Sequence, residues 1–147
     1  MVKKVGIKLI GKNYEDLKVI SAHLQDSIVV VGDMVFLKKN KTFIMIVNRF
    51  MWEDFEKGFF RKNKRIRCAV KFEEVLNVRS QNINQKKKNK PLEFLAIKCS
   101  SIFDKTGEIK VFFAGGSIIT IIVEAIEVFM HDLGESWDVK HVPMHKI

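Results

Sequence analysis

The densest cluster of chemistry-bearing side chains in this sequence is basic. Between positions 57 and 71 stand seven cations, Lys57, Arg61, Lys62, Lys64, Arg65, Arg67 and Lys71, with no acid among them and with Phe59 and Phe60 alongside. Such a field attracts a phosphate backbone without reading its bases, and neighbouring rings can stack on unpaired bases. On an alternating strand Arg65, Arg67 and Lys71 share one solvated face, and Lys86, Lys87, Lys88 and Lys90 could extend the field. The plainer reading is a wet strand face followed by a lysine-rich loop. Of the basic residues 21 are Lys and 5 are Arg, and Lys, Ile, Asn and Phe are abundant together, as drift in an AT-rich genome would produce. Part of the net charge of +9 is therefore expected from composition alone. No recognition-helix, RNA-recognition or zinc-finger pattern accompanies it.

A second cluster is aromatic. Met51, Trp52, Phe55, Phe59 and Phe60 sit among charges around Gly58. Either the segment folds back and buries them, or some stay exposed as a patch for a partner or a second copy. Trp52, Phe55, Phe59 and Phe60 are the candidates for that surface.

Other reactive types form no catalytic, cofactor or metal signature. His141 and His145 are four apart, but Pro143 between them removes the helix that would align them, and no third ligand is suitably spaced. His23 lies near Asp16 and Gln25 and could act as a general base, or simply be a hydrogen-bonded boundary histidine. Glu73 and Glu74 are adjacent and so point to opposite faces of a strand, while Glu124 and Glu127 share a face only on a helix. Gly11-Lys12 and Gly115-Gly116 lack the spacing of a phosphate-cradling loop. Cys68 falls on the inward side of its strand, which argues against a reactive thiolate.

These residues must be held by a mainly antiparallel β scaffold. A short strand over Val5–Ile10 precedes a helix over Tyr14–Gln25, where Asn13 can cap and Tyr14, Leu17, Ile20 and Leu24 recur at helical spacing. Residues 29–31 and 34–36 read as a tight hairpin about Gly32-Asp33, with Gly supplying a positive φ. Phe43–Val47 reads as a central strand and 51–63 as an excursion or short helix. Ile66, Cys68, Val70 and Phe72 alternate with polar partners as a half-wet strand. A strand over 75–79 follows a kink at Glu73-Glu74, and Gln81–Lys90 is an exposed loop. Strands over Leu92–Cys99, Glu108–Phe113 and Ser117–Val123 come next, the last two joined across Gly115-Gly116. Residues 125–133 fit a strand or a helix, and Trp137 anchors the tail. Residues 43–75 and 108–126 resemble each other, as two β-units about a pseudo-twofold axis would. The expected fold is α+β: roughly nine antiparallel strands, barrel-like or in two curled sheets, with one N-terminal helix at 14–25.

The chain of 147 residues suits a single domain, 1–147. Cys68 and Cys99 form no close-spaced motif and suit reduced thiols in a cytosolic protein. The run Val5–Ile10 is too short for an export signal and is broken by Lys8, so the sequon Asn40-Lys41-Thr42 has no consequence. The longest uncharged run, 111–123, falls short of the about 20 residues of a membrane span.

Several stretches taken together resemble one family. They are Ile20-Ser21-Ala22-His23-Leu24-Gln25-Asp26, Val31-Gly32-Asp33-Met34, Asn48-Arg49-Phe50 with Trp52-Glu53, Phe113-Ala114-Gly115-Gly116 and Asp132-Leu133-Gly134. In that order they resemble the proteobacterial family called domain of unknown function 2948, from which this chain departs in preferring lysine to arginine. The resemblance implies a bacterial cytoplasmic protein and brings no activity, cofactor or site residues. The expectation is a non-catalytic binding or protein-interaction module of the bacterial cytoplasm, meeting a protein partner or itself, with no membrane. The alternative is nonspecific nucleic-acid binding through Arg61, Lys62, Lys64, Arg65, Arg67 and Lys71. An enzyme with no readable motif comes third.

Overall fold

A computed structural model of the chain describes residues 6–53, 64–101 and 106–139. The elements follow as β1 (Lys8–Gly11), α1 (Tyr14–Leu24), β2 (Ile28–Val30), β3 (Met34–Leu37), β4 (Thr42–Phe50) and β5 (Lys64–Phe72). After them come β6 (Val75–Gln81), β7 (Pro91–Ser101), β8 (Gly107–Phe113), β9 (Ser117–Val123) and β10 (Val128–Asp138). All strand pairs are antiparallel and form one curled sheet, ordered β1-β10-β5-β4-β2-β7-β8-β9-β6, with β3 also on β4. The sheet does not close into a barrel. The expected class, antiparallel β with one N-terminal helix, is what the chain adopts.

Local chemistry accounts for the elements. Asn13 is extended at φ −148° and its Oδ1 accepts the Asp16 N–H, while Asp16 Oδ2 accepts the Lys12 N–H, a reciprocal cap that starts α1. Leu17, Ile20 and Leu24 are buried, but Tyr14 stays exposed beneath the Lys18 ammonium, outside the apolar face expected of it. Asp16 is used up in that cap and does not orient His23. At 115–116 both glycines have positive φ, +82° and +80°, which the two-residue turn between β8 and β9 requires. Residues 128–133, the later part of the ambiguous segment, are strand and belong to β10.

The hairpin expected about Gly32 is not present. β2 pairs with β4 and β7, β3 pairs with β4, and residues 31–33 form a single 3-10 turn that carries the chain from one stretch to the next. Gly32 does not have a positive φ; a Cβ there would come within 3.3 Å of the Lys88 carbonyl oxygen. A side chain there would need the Lys88 carbonyl to shift by a few tenths of an ångström.

The strand order reads the same from either end once β1 is set aside. β10-β5-β4-β2 is answered by β6-β9-β8-β7, with β2 and β7 antiparallel across the centre. The two halves exchange their last strands, because β6 follows β5 but pairs with β9, and β10 follows β9 but pairs with β5. Two reciprocal bonds mark the crossing, Glu73 N–H to the Glu127 carbonyl at 2.9 Å and Glu124 N–H to the Glu74 carbonyl at 2.8 Å. This is the pseudo-twofold arrangement suggested by the likeness of 43–75 to 108–126. Between the halves lies the core, with Phe43, Met45, Val70 and Phe72 from one side and Phe94, Val111, Phe113 and Ile121 from the other, capped by α1.

Candidate functional site

The inward positions of β4 run Phe43, Met45, Val47 and then Arg49, so the strand's own period of two drives a guanidinium into the interior. Arg49 is fully buried. A charge there costs several kcal/mol unless every donor is matched (about 3–5 once one partner is lost). All five N–H donors of Arg49 are matched. Nε donates to Asp132 Oδ1 at 2.7 Å and Nη2 to Asp132 Oδ2 at 2.6 Å, a two-pronged pair with β10. Nη1 and Nη2 donate to Glu53 Oε1 and Oε2 at 2.8 and 2.6 Å, and Nη1 also reaches the Phe50 carbonyl at 3.3 Å.

Asp132 Oδ2 further accepts the Ile7 N–H at 2.8 Å, so the cluster also holds the chain leading into β1. Gly6 passes so near that a Cβ would stand 2.7 Å from Asp132 Cβ. Burial alone would lower the guanidinium's pKa and raise that of Glu53. The hydrogen bonds and charges within the cluster outweigh it, holding Arg49 above its ordinary value and Glu53 below its own. With no donor left over, Arg49 has nothing to offer a substrate anion. The cluster is a structural tie joining β4, β10, the turn at 52–53 and the N-terminal strand.

Sequence reasoning listed Arg49, Glu53 and Asp132 only among the stretches that carry the family resemblance. Their meeting was not read from the sequence. The available signal was a charge at an inward strand position with an acid four residues on.

Cys68 is wholly buried on β5 beside this cluster. Burial first, and then the Asp132 carboxylate, push its thiol far above the ordinary range, while Cys99 is raised by burial alone. With a thiol reagent at neutral pH, the folded protein should therefore yield at most one slowly reacting group, Cys99, and both only in denaturant. Fast labelling of Cys68 in the native state would mean that β5 is not packed as described.

The expected basic surface is partly spent on structure. Arg65 is half-buried, and its Nη1 donates to the Asn48 carbonyl at 3.0 Å and the Asp26 carbonyl at 3.2 Å, with the guanidinium 5.9 Å from the Phe50 ring centroid. Burial lowers its pKa from the ordinary value. Lys71 is exposed but bound to Glu73 at 2.8 Å; Arg67 is exposed and Lys64 half-buried. So of Arg65, Arg67 and Lys71, expected on one wet face, Arg65 is turned to its own backbone neighbours. Trp52 donates from Nε1 to the Gln25 carbonyl at 2.8 Å and meets the Phe50 ring edge-on at 4.6 Å, tying the 52–53 turn to the end of α1. Phe55, Phe59, Phe60, Arg61 and Lys62, with His141 and His145, lie outside the described residues. His23 comes close enough to help hold Glu53 ionised, and its Nδ1 has no hydrogen bond among the described residues.

A concavity lies elsewhere, at the seam between β3 and β6, where the sheet fails to close. It encloses about 450 Å³ and is lined by Val35, Phe36, Val78 and Ile83, among others, with Ser80 and Lys88 at its polar side. The seam is tied at both ends, by Val75 N–H to the Lys41 carbonyl at 2.8 Å and by Gly32 N–H to the Lys88 carbonyl at 2.9 Å. Between those ties the facing edges of β3 and β6 have no partner strand among the described residues.

Fold and sites together define an open antiparallel β protein with one helix, an internal ion tie and a groove at its unclosed seam. The chain belongs to the family described as protein of unknown function (DUF2948), whose model matches residues 7–145. No curated protein and no solved structure matches it significantly. No helix among the described residues is long and apolar enough to cross a membrane.

Proposed function

We propose that this protein is a binding module that engages a partner protein through the groove between β3 and β6. The observation that carries this reading is an apolar groove flanked by two strand edges that have no partner strand among the described residues, a combination that offers both side-chain pockets and main-chain hydrogen bonds. Val35 is 46 % exposed at the groove wall, an apolar side chain left in water at the seam. The Arg49 cluster does not compete with this reading, since its donors are all engaged.

The test is selection of ligands from a displayed random-peptide library, followed by binding to Val35→Glu and, separately, Arg67→Ala protein. Loss of binding on Val35→Glu with Arg67→Ala unaffected supports the groove. Ligands indifferent to Val35→Glu would overturn it. A salt titration with labelled single-stranded RNA and duplex DNA supplies the contrast: steeply salt-dependent binding that Arg67→Ala weakens would favour the basic strand instead.

A further inference from the structure

The two halves of the sheet differ at their outer edges. In one half, β10 carries β1 on its outer edge, with Gly11 opposite Val128, Leu9 opposite Met130 and Lys8 opposite His131. The pseudo-twofold relation places β6 where β10 stands. Phe72 pairs with Val128 as Val123 pairs with Val75, Val70 with Met130 as Ile121 with Val78, and Ala69 with His131 as Thr120 with Arg79. Nothing described occupies the edge of β6 that answers to β1. On the β1 side, β1 lies beside β10 with α1 packed against β1, and Leu9 packs against the core. On the β6 side the corresponding space is the groove.

Resting on the reading above, we propose that the groove takes an extended segment of a partner protein that adds as a strand to β6, in the place corresponding to β1. The position answering to Leu9 faces Val78, which lines the groove, so the incoming residue there is apolar. The next position, answering to Lys8, faces Arg79, which is exposed on the opposite side of β6 and calls for a carboxylate. Lys88 lines the same groove, and the loop 82–90 carries Lys86, Lys87, Lys88 and Lys90 with no acid. The partner segment is therefore extended, apolar and acidic at alternate positions. Its main chain satisfies the vacant groups of β6, and its side chains alternate between groove and basic rim.

The experiment uses the full chain and a fluorescein-labelled peptide of alternating Val and Glu, read by anisotropy. Alongside it run a copy N-methylated on one edge and a copy with Lys for Glu. Binding of the Glu peptide is expected to weaken at least about tenfold on N-methylation, since the strand's donors on that edge are removed. Arg79→Glu, an exposed substitution, is expected to switch preference from the Glu to the Lys peptide. Amides of β6 that face the seam should gain protection from hydrogen exchange in the complex.

Equal binding of the parent and N-methylated peptides would overturn strand addition while leaving the groove as a binding site. So would failure of both peptides when library ligands still depend on Val35. Failure of peptides and of all Val35-dependent ligands would overturn both readings together. Concentration-dependent dimerisation that protects the β6 amides without peptide would make a second copy the occupant and overturn the partner-segment proposal.

Discussion

Arg49→Met is expected to destabilise the fold by about 3–5 kcal/mol, the cost of leaving buried carboxylate charge without its counter-ion. Two acids depend on this one guanidinium. Asp132 has no side-chain exposure at all, and Glu53 has only 19 %. Without the guanidinium, both must share a low-dielectric site that has lost its main donor, with the Ile7 N–H still bound to Asp132. Arg49→Lys keeps a charge but replaces a planar fork with a single ammonium, which cannot serve both carboxylates in two-pronged fashion. It should fall between wild type and Met.

Neutralising all three groups, as Arg49→Met with Glu53→Gln and Asp132→Asn, should recover part of the loss, because the unpaired charge is then gone. The measurement is urea unfolding followed by tryptophan fluorescence, with midpoints compared at a common slope. A Met variant within about 1 kcal/mol of wild type would show that the cluster is not buried as a unit.

The same cluster sets a pH dependence. Glu53 titrates below its ordinary value in the folded chain. Its contribution is therefore fully present above the unfolded pKa of about 4.3 and is lost as pH falls through the depressed folded value. Glu53→Gln should flatten stability against pH in that acid window and leave it unchanged in slope near neutrality.

The second large effect is expected at the crossing of the two halves. Phe72→Ala should cost about 3–5 kcal/mol, as the loss of a buried aromatic ring leaves a cavity that its neighbours fill only in part. Phe72 is wholly buried, stands between Phe43 on β4 and Val128 on β10, and its ring centroid lies 6.0 Å from that of Phe43. The next two residues make the reciprocal bonds to the 124–127 segment. A cavity here therefore loosens both exchanged strands at once. Val123 holds the corresponding position in the other half, and Val123→Ala should cost only about 2 kcal/mol, in proportion to the smaller apolar group removed. Guanidinium unfolding of both variants gives the comparison. A cheaper Phe72→Ala than Val123→Ala would place the packed centre away from the crossing.

How far these features were legible varies with the length scale of their cause. The helix, its Asn13 cap and the Gly115-Gly116 turn depend on contacts within a few residues, and sequence spacing revealed them. The alternation of β5 correctly placed Ile66, Cys68, Val70 and Phe72 inward. It placed Arg65 on the outward side as well, but could not show that the guanidinium would lie back on the Asn48 and Asp26 carbonyls, 17 and 39 residues earlier. At Gly32 a turn residue was read as a hairpin, because local composition cannot tell which strands lie beside it. The 3-10 turn instead sends β2 towards β7 and lets Gly32 touch Lys88.

The amino-acid sequence by itself determined the class of fold and the period of most strands. Those follow from alternation, turn chemistry and composition, which act locally along the chain. Tertiary structure alone decided that Arg49 would find Asp132, 83 residues away, and that β6 and β10 would trade halves. It also decided that one of two corresponding edges would be covered by β1 and the other by no strand among the described residues. Each is a matter of which distant groups become neighbours. Burial then forces a charge to be matched by whatever lies opposite, and leaves an unpaired strand edge wherever the sheet ends.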